Sequence, residues 1–407
     1  MIFGIEKEKD ARYYALLVNA ALVSVMELAP VLIGIFVITS FIYIFRKSNA
    51  NEWWNWRKAV MAGVPFVLAI IGLINTSDFN QGWADVSRLL PYCIYPLLLL
   101  GISPKLKAKW HRSFIWMLIL GVTANLNFYL IRASLRFIET GNTRHFFYIN
   151  LVQETNTLSF FVLIALFLTL LKFSSGINPR RKIIFSSLLV LNLLIGLLLM
   201  QSRMIILIFL VLCVFFALYN WRNLAGKAFL ATSILTGLLL LSPALNGRFD
   251  SMTPQKVAVS DSTKMEIQVA QIDTITCMGS ATLRMNAMKT ALVIIKENPV
   301  VGVGTGDWRN EMFFHYQKAG MECNAKEKTA PHNQFLRTAV KHGIIGLIVF
   351  LLTLAFLFFP AWHSKDVERM AVALCVGMSC VAYDCVDGGA SAPFIALIFG
   401  WFMLRRK

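Results

Sequence analysis

Charge is scarce in this 407-residue sequence: only 15% of its residues are Asp, Glu, Lys or Arg, against about 25% in an average soluble domain. Acid is scarcer still, with 22 Asp and Glu set against 39 Lys and Arg. So few charges cannot cover a water-exposed globular surface, which excludes an ordinary soluble fold. Cysteines at zinc-ligand spacing are missing, as is a GxGxxG run between a strand and a helix. No internal repeat of the kind found in inverted-repeat transporters is visible. Residues 1–12 mix acids and bases, and no small-residue cleavage site precedes the apolar run after them, so the first apolar segment is expected to stay attached.

Apolar sequence is abundant. Hydrophobic residues make up 57% of the chain and the mean hydropathy is +0.63. A helix crosses a bilayer with roughly 20 mostly apolar residues. Such stretches recur near residues 13–28, 29–45, 59–75, 88–102, 113–131, 146–171, 183–200, 204–219, 228–242, 335–359, 370–384 and 392–404. The pattern predicts an all-α integral membrane protein of about 12 transmembrane helices with one long loop. Residues 1–242 would form an N-terminal bundle of about nine spans, 243–331 the loop and 332–407 a C-terminal bundle of about three spans. The first two stretches run together around Glu27 and Pro30, and the fourth contains Pro91 and Pro96.

Lys and Arg in short loops set orientation. With both termini cytoplasmic, 22 basic residues, among them Arg12, Lys107, Lys172 and Arg369, fall on the inner side. Only Arg88, Arg132, Arg136, Arg144 and Arg203 fall on the outer one. This asymmetry and attraction to anionic membrane lipids account for the net charge of +17 without nucleic-acid binding. The long loop is then external, and at that length it is expected to be functional rather than a connector. Its residues 249–276 are polar and irregular, whereas 279–298 read as a helix whose partly buried face carries Leu283, Ala287, Met288, Ala291, Leu292, Ile294 and Ile295. Pro299 stops that helix. Cys277 and Cys323 share the loop and either pair, in an oxidising compartment, or remain free thiols.

Three constellations on the loop side can carry chemistry. Pro331-His332-Asn333-Gln334 leads into an apolar run containing Gly343 and Gly346. An imidazole there can take a proton from a hydroxyl near neutral pH, although an interfacial histidine without a role fits the same position. The two glycines suggest close helix packing. Gln201-Ser202-Arg203 lies between two apolar runs on the side where arginine is rare; its guanidinium could hold a phosphate or simply reach the headgroups. Arg284 on the loop helix precedes Asn298-Pro299-Val300-Val301-Gly302-Val303-Gly304-Thr305-Gly306, read as a tight turn rather than a phosphate cradle. Arg88 and the 132–144 arginines could recruit diphosphate or hold headgroups. Asp384 and Asp387 before Gly388-Gly389 could orient His332, pair with an arginine or cap a turn.

Taken together, these residues resemble the O-antigen ligase/polymerase superfamily of bacterial membrane glycosyltransferases, and most of all the O-antigen ligases. The likeness rests on Ser202-Arg203 before a large loop, then Arg284, Asn298-Pro299 with Gly302-Val303-Gly304, and His332-Asn333-Gln334 with Gly343 and Gly346. The resemblance implies an inner-membrane, multi-pass enzyme with its site facing the periplasm. It would move a glycan from undecaprenyl diphosphate to a lipid A-core hydroxyl, or to another glycan in the polymerase branch, with no cofactor and no metal. His332 would be the catalytic residue and Arg203, Arg284 and, less directly, Arg88 the diphosphate ligands; Ser202, Asn333 and Asp387 are secondary candidates. An anionic-lipid transporter and a non-catalytic envelope scaffold are the readings from other classes.

Overall fold

In hydrocarbon a backbone amide is satisfied within its own helix or not at all, and the apolar segments fold accordingly. The computed structural model describes residues 10–46, 56–141, 155–173, 180–200, 202–222, 224–240, 280–389 and 391–404, among which there is no strand. In chain order the helices are α1 (Ala11–Leu22), α2 (Ala29–Arg46), α3 (Trp56–Ala62), α4 (Val64–Ile71), α5 (Phe79–Arg88), α6 (Pro91–Leu100), α7 (Pro104–Thr140), α8 (Thr155–Phe173) and α9 (Arg180–Leu199). There follow α10 (Arg203–Tyr219), α11 (Leu224–Leu240), α12 (Ser280–Glu297), α13 (Trp308–Lys318), α14 (Glu322–Lys326), α15 (Gln334–His363), α16 (Val367–Ala382) and α17 (Ala392–Leu404).

Of the described helices, α7, α8 and α15 are long and apolar enough to cross a membrane, and α2, α9, α10 and α17 contain shorter apolar stretches. Twelve helices of spanning length are not seen among the described residues, and two of the expected stretches are short for local reasons. The stretch expected at 59–75 is cut at Gly63, with Pro65 in the first turn of α4. The one at 88–102 shortens to the ten residues of α6, about 15 Å of helix. Conversely, α7 runs for 37 residues between a Ser103 cap and Gly141 at φ 64. It takes Arg132 and Arg136 onto a helix where a loop was expected; Arg144 lies outside the described residues, as do Cys277 and the irregular stretch 249–276.

The bundle is built around α8, whose residues 157–171 are all buried, and α17 is buried over its whole length. Phe161 of α8 stacks on Phe394 of α17 at 4.1 Å, and Phe114 of α7 stacks on Trp401 at 4.4 Å. At the rim, Ile344, Ile345, Ile348, Leu351 and Leu352 of α15 are exposed, an arrangement that lipid tolerates because its tails are equally apolar.

Polar contacts mark the two ends of the bundle. At one end Arg12 donates to the Gly101 carbonyl (2.8 Å), and Lys172 and His111 both reach Glu368 (2.5 Å each). Lys107 approaches the Leu404 carbonyl at 3.5 Å. Arg12, Lys107 and Lys172, assigned by sequence to a single membrane side, all lie at this end. From Lys172 back to Thr155, α8 covers about 25 Å, which separates this end from the loop-bearing end.

There α15 is kinked at Gly343 (φ 62, ψ −162), and the turn after α12 docks into the break. Ile344 donates to the Pro299 carbonyl (2.8 Å), while Val303 and Gly304 donate to the carbonyls of Val340 and Lys341 (2.9 and 3.0 Å). The backbone groups freed by the kink are thereby paired, as burial requires. A Cβ on Gly343 would sit 2.2 Å from the Val300 carbonyl oxygen, and one on Gly302 2.5 Å from backbone of α15. The glycine turn is therefore a docking joint. Below it, residues 344–363 make about 30 Å of helix, the thickness of a hydrocarbon core.

Candidate active site

The loop-bearing end encloses a cavity of about 480 Å³. Its wall joins α5 (Arg88), the start of α8 (Thr155, Asn156, Thr157), the α9–α10 junction (Met200, Ser202), α12 (Arg284), the segment before α15 (Ala330, His332), α15 itself (Arg337) and the α16–α17 turn (Tyr383, Asp384, Asp387, Gly388, Gly389, Ser391). Five residues singled out by sequence, His332, Arg284, Arg88, Ser202 and Asp387, thus meet in one hollow although they span three hundred positions. Arg203 begins α10 one residue beyond the wall. Asn333 is turned away: its side chain caps α15 by accepting from the Leu336 amide (3.0 Å) and donates to the Val381 carbonyl (3.1 Å).

His332 is held in the left-handed backbone region at φ 48, a conformation that a non-glycine residue adopts only where its surroundings enforce it. Burial, followed by the nearby charges of Arg284 and Arg337, pushes its imidazole down to about 4. The ring is therefore neutral at physiological pH and able to accept a proton.

Asp85, Trp308, Arg309, Arg337 and Lys341, which no sequence motif marks, form a network behind the cavity with Arg88, Asp384 and Asp387. Asp85 of α5 is its hub: it accepts from Arg88 (2.9 Å), Arg309 (3.0 Å) and the Trp308 indole (3.1 Å), and lies 3.4 Å from Lys341. Lys341 also donates to Asp387 (2.7 Å), and Arg337 is paired with Asp384 and lies 3.5 Å from Asp387. The Arg309 and Arg337 guanidiniums lie over the Trp308 ring, 4.5 and 4.3 Å from its centroid, a favourable arrangement for a cation. Burial alone would raise the carboxyls of Asp85 and Asp387, but Lys341 and its neighbouring arginines override it and hold both below their usual range. Of the roles open to Asp384 and Asp387, the structure shows pairing with cations rather than with His332.

Five cations (Arg88, Arg284, Arg309, Arg337, Lys341) thus share this region with three carboxylates (Asp85, Asp384, Asp387). On the cavity wall itself Arg88, Arg284 and Arg337 face Asp384 and Asp387, an excess of one positive charge.

Loop helix α12 buries Ala287, Ala291 and Ile294 against Trp308, Met312, Tyr316 and Val340, while Leu292, expected on the same face, is exposed. Cys323 on α14 is disulfide-bonded, and Cys93, Cys213, Cys375, Cys380 and Cys385 are free.

Fold and hollow together define a helical membrane protein with a cationic pocket at one end of its bundle. Residues 188–351 match the family model described as O-antigen ligase, a similarity consistent with the O-antigen ligase/polymerase superfamily. The match includes Arg203, Arg284 and His332 and extends from α9 into α15. No curated protein is similar to the chain.

Proposed function

We propose that the protein is an O-antigen ligase that transfers a glycan from undecaprenyl diphosphate to a lipid A-core hydroxyl at the periplasmic face of the bacterial inner membrane. The observation that carries this reading is the excess of positive charge gathered around a neutral, strained histidine in a single cavity. In the reaction the acceptor oxygen forms a bond to the anomeric carbon as the bond from that carbon to the diphosphate oxygen breaks. The bonding pair leaves with the diphosphate, and the hydroxyl proton passes to His332. Direct displacement of this kind inverts the anomeric centre.

Arg284 and Arg88, with Arg203 beside the cavity, hold the diphosphate and stabilise the charge that grows on it, each worth a few kcal/mol in a water-poor site. Arg337 adds to the field, although its salt bridges with Asp384 and Asp387 fix it as part of the wall. Donor binding also acts on the base. Arg284 and Arg337 are among the causes that depress His332, so a bound dianion offsets them and returns basicity to the imidazole when it is needed.

The test is transfer by the purified full chain from an undecaprenyl-diphosphate-linked glycan to lipid A-core. Wild type is expected to form capped lipopolysaccharide, with His332→Ala and Arg284→Ala folded but slowed by about 10²-fold or more. Retained transfer by His332→Ala would remove the histidine from the mechanism. Lengthening of the glycan on its own carrier would make the protein a polymerase of the same superfamily.

A further inference from the structure

The cationic groups occupy only part of the cavity wall; the start of α8 and the α9–α10 junction contribute Thr155, Asn156, Thr157, Met200 and Ser202, all uncharged. Ser202 stands at the N-cap of α10, where a serine hydroxyl ordinarily accepts a hydrogen bond from the first turn of its helix. Here it makes no capping bond. It donates instead to Oδ1 of Asn156 at 2.9 Å, tying two helix starts together and forgoing the local stabilisation of a cap. The bond fixes the amide plane of Asn156 and engages its acceptor oxygen. Its two N–H donors have no protein partner among the described residues and are left for a ligand oxygen.

A wall of hydroxyls and one oriented amide, with a thioether beside it, suits a neutral ligand dense in oxygen and presenting one apolar C–H face. Such a ligand is a pyranose ring. Resting on the assignment of the cationic cluster to the diphosphate, we propose that Thr155, Asn156, Thr157 and Ser202 form the subsite for the first sugar of the lipid-linked donor, the ring attached directly to the diphosphate. The cavity volume lies within the range of about 300–1,000 Å³ found for small-molecule sites. On this assignment Asn156 selects donors by the oxygen that their first sugar presents, because an analogue lacking it leaves a half-buried amide unpaired in the closed complex.

The experiment measures binding of two probes to the purified full chain in lipid nanodiscs: undecaprenyl diphosphate without sugar, and the same carrier bearing one N-acetylglucosamine. For Asn156→Ala and for the near-isosteric Thr157→Val, the Kd of the glycosylated carrier is expected to rise about tenfold, the equivalent of one hydrogen bond of about 1.4 kcal/mol. The Kd of the bare carrier should stay within about twofold of wild type. Arg284→Ala should weaken both probes. Equal weakening of both probes by Asn156→Ala and Thr157→Val, or no change in either, would overturn the sugar subsite while leaving the diphosphate site in place. Unchanged binding of the bare carrier to Arg284→Ala would overturn the diphosphate assignment, and the subsite with it.

Discussion

His332 combines a backbone in the left-handed region with an imidazole depressed to about 4 by burial and by Arg284 and Arg337. A base works only when unprotonated, so activity must fall as pH drops through its pKa. In the free enzyme that limb is set by the depressed value. With donor bound, the arginine charges are offset and the limb moves toward the ordinary histidine value of about 6.5. The acid limb of the kcat/KM profile is therefore expected at lower pH than that of kcat, and profiles recorded over pH 3.5–8 (roughly the span between the two states) check it. Coincident limbs would mean that donor binding does not reach the histidine. Substitution of His332 by Ala should lower the transfer rate by about 10²–10⁴, the usual contribution of a general base. Asp85 is the other residue on which much depends. It is buried and faces Arg88, Arg309, Trp308 and Lys341. Asp85→Asn leaves cations uncompensated, which for a broken buried pair costs about 3–5 kcal/mol; unfolding of the purified variant in detergent should show a loss of that size.

Among the elements, the joint between the glycine turn and α15 decides where the site sits. Gly302 has φ 69 and Gly343 φ 62, and a Cβ at either would press on backbone rather than on a flexible side chain. Gly302→Ala and Gly343→Ala are expected to destabilise the fold by at least about 1–3 kcal/mol each and to lower activity with it. Gly377→Ala, on α16 with nothing within 4 Å, should be silent; thermal unfolding of the three variants reads the contrast. The glycine spacing in the sequence correctly signals a tight turn, but its partner is the break in α15, and no local pattern reveals a contact between residues forty positions apart. The network behind the cavity is hidden for a related reason. Arg337 and Lys341 lie at i and i+4 within a stretch that reads as the beginning of a membrane span, and Asp85 lies in a short polar helix between two apolar ones. Two cations one turn apart, followed by a glycine, are the available signal of a break near the start of that helix. His332, Arg284, Arg88, Ser202 and Asp387 are legible because each interrupts apolar sequence or stands in the loop on one side of it. The shortness of α4 and α6 is less legible, since apolar composition has the same appearance in a crossing helix and in one buried inside the bundle.

For the whole molecule, contacts separate the ends of the bundle: Arg12, Lys107, Lys172 and Glu368 at one, the cavity at the other. The proposed orientation puts the first in the cytoplasm. Exposed Lys318 on α13 and Lys365 after α15 lie on opposite sides in this arrangement. Lys318→Cys is expected to react with a membrane-impermeant maleimide in cells with a permeabilised outer membrane, and Lys365→Cys only after the inner membrane is broken; the reverse pattern would invert the topology. In the proposed reaction the cationic cavity holds the lipid-linked donor by its diphosphate. The most direct test is a structure of the full chain bound to an undecaprenyl-diphosphate-linked glycan. The diphosphate is expected between Arg88 and Arg284, with the anomeric carbon beside His332 and the lipid tail leaving toward the bilayer; a diphosphate bound elsewhere, with the cavity filled only by water, would contradict this assignment.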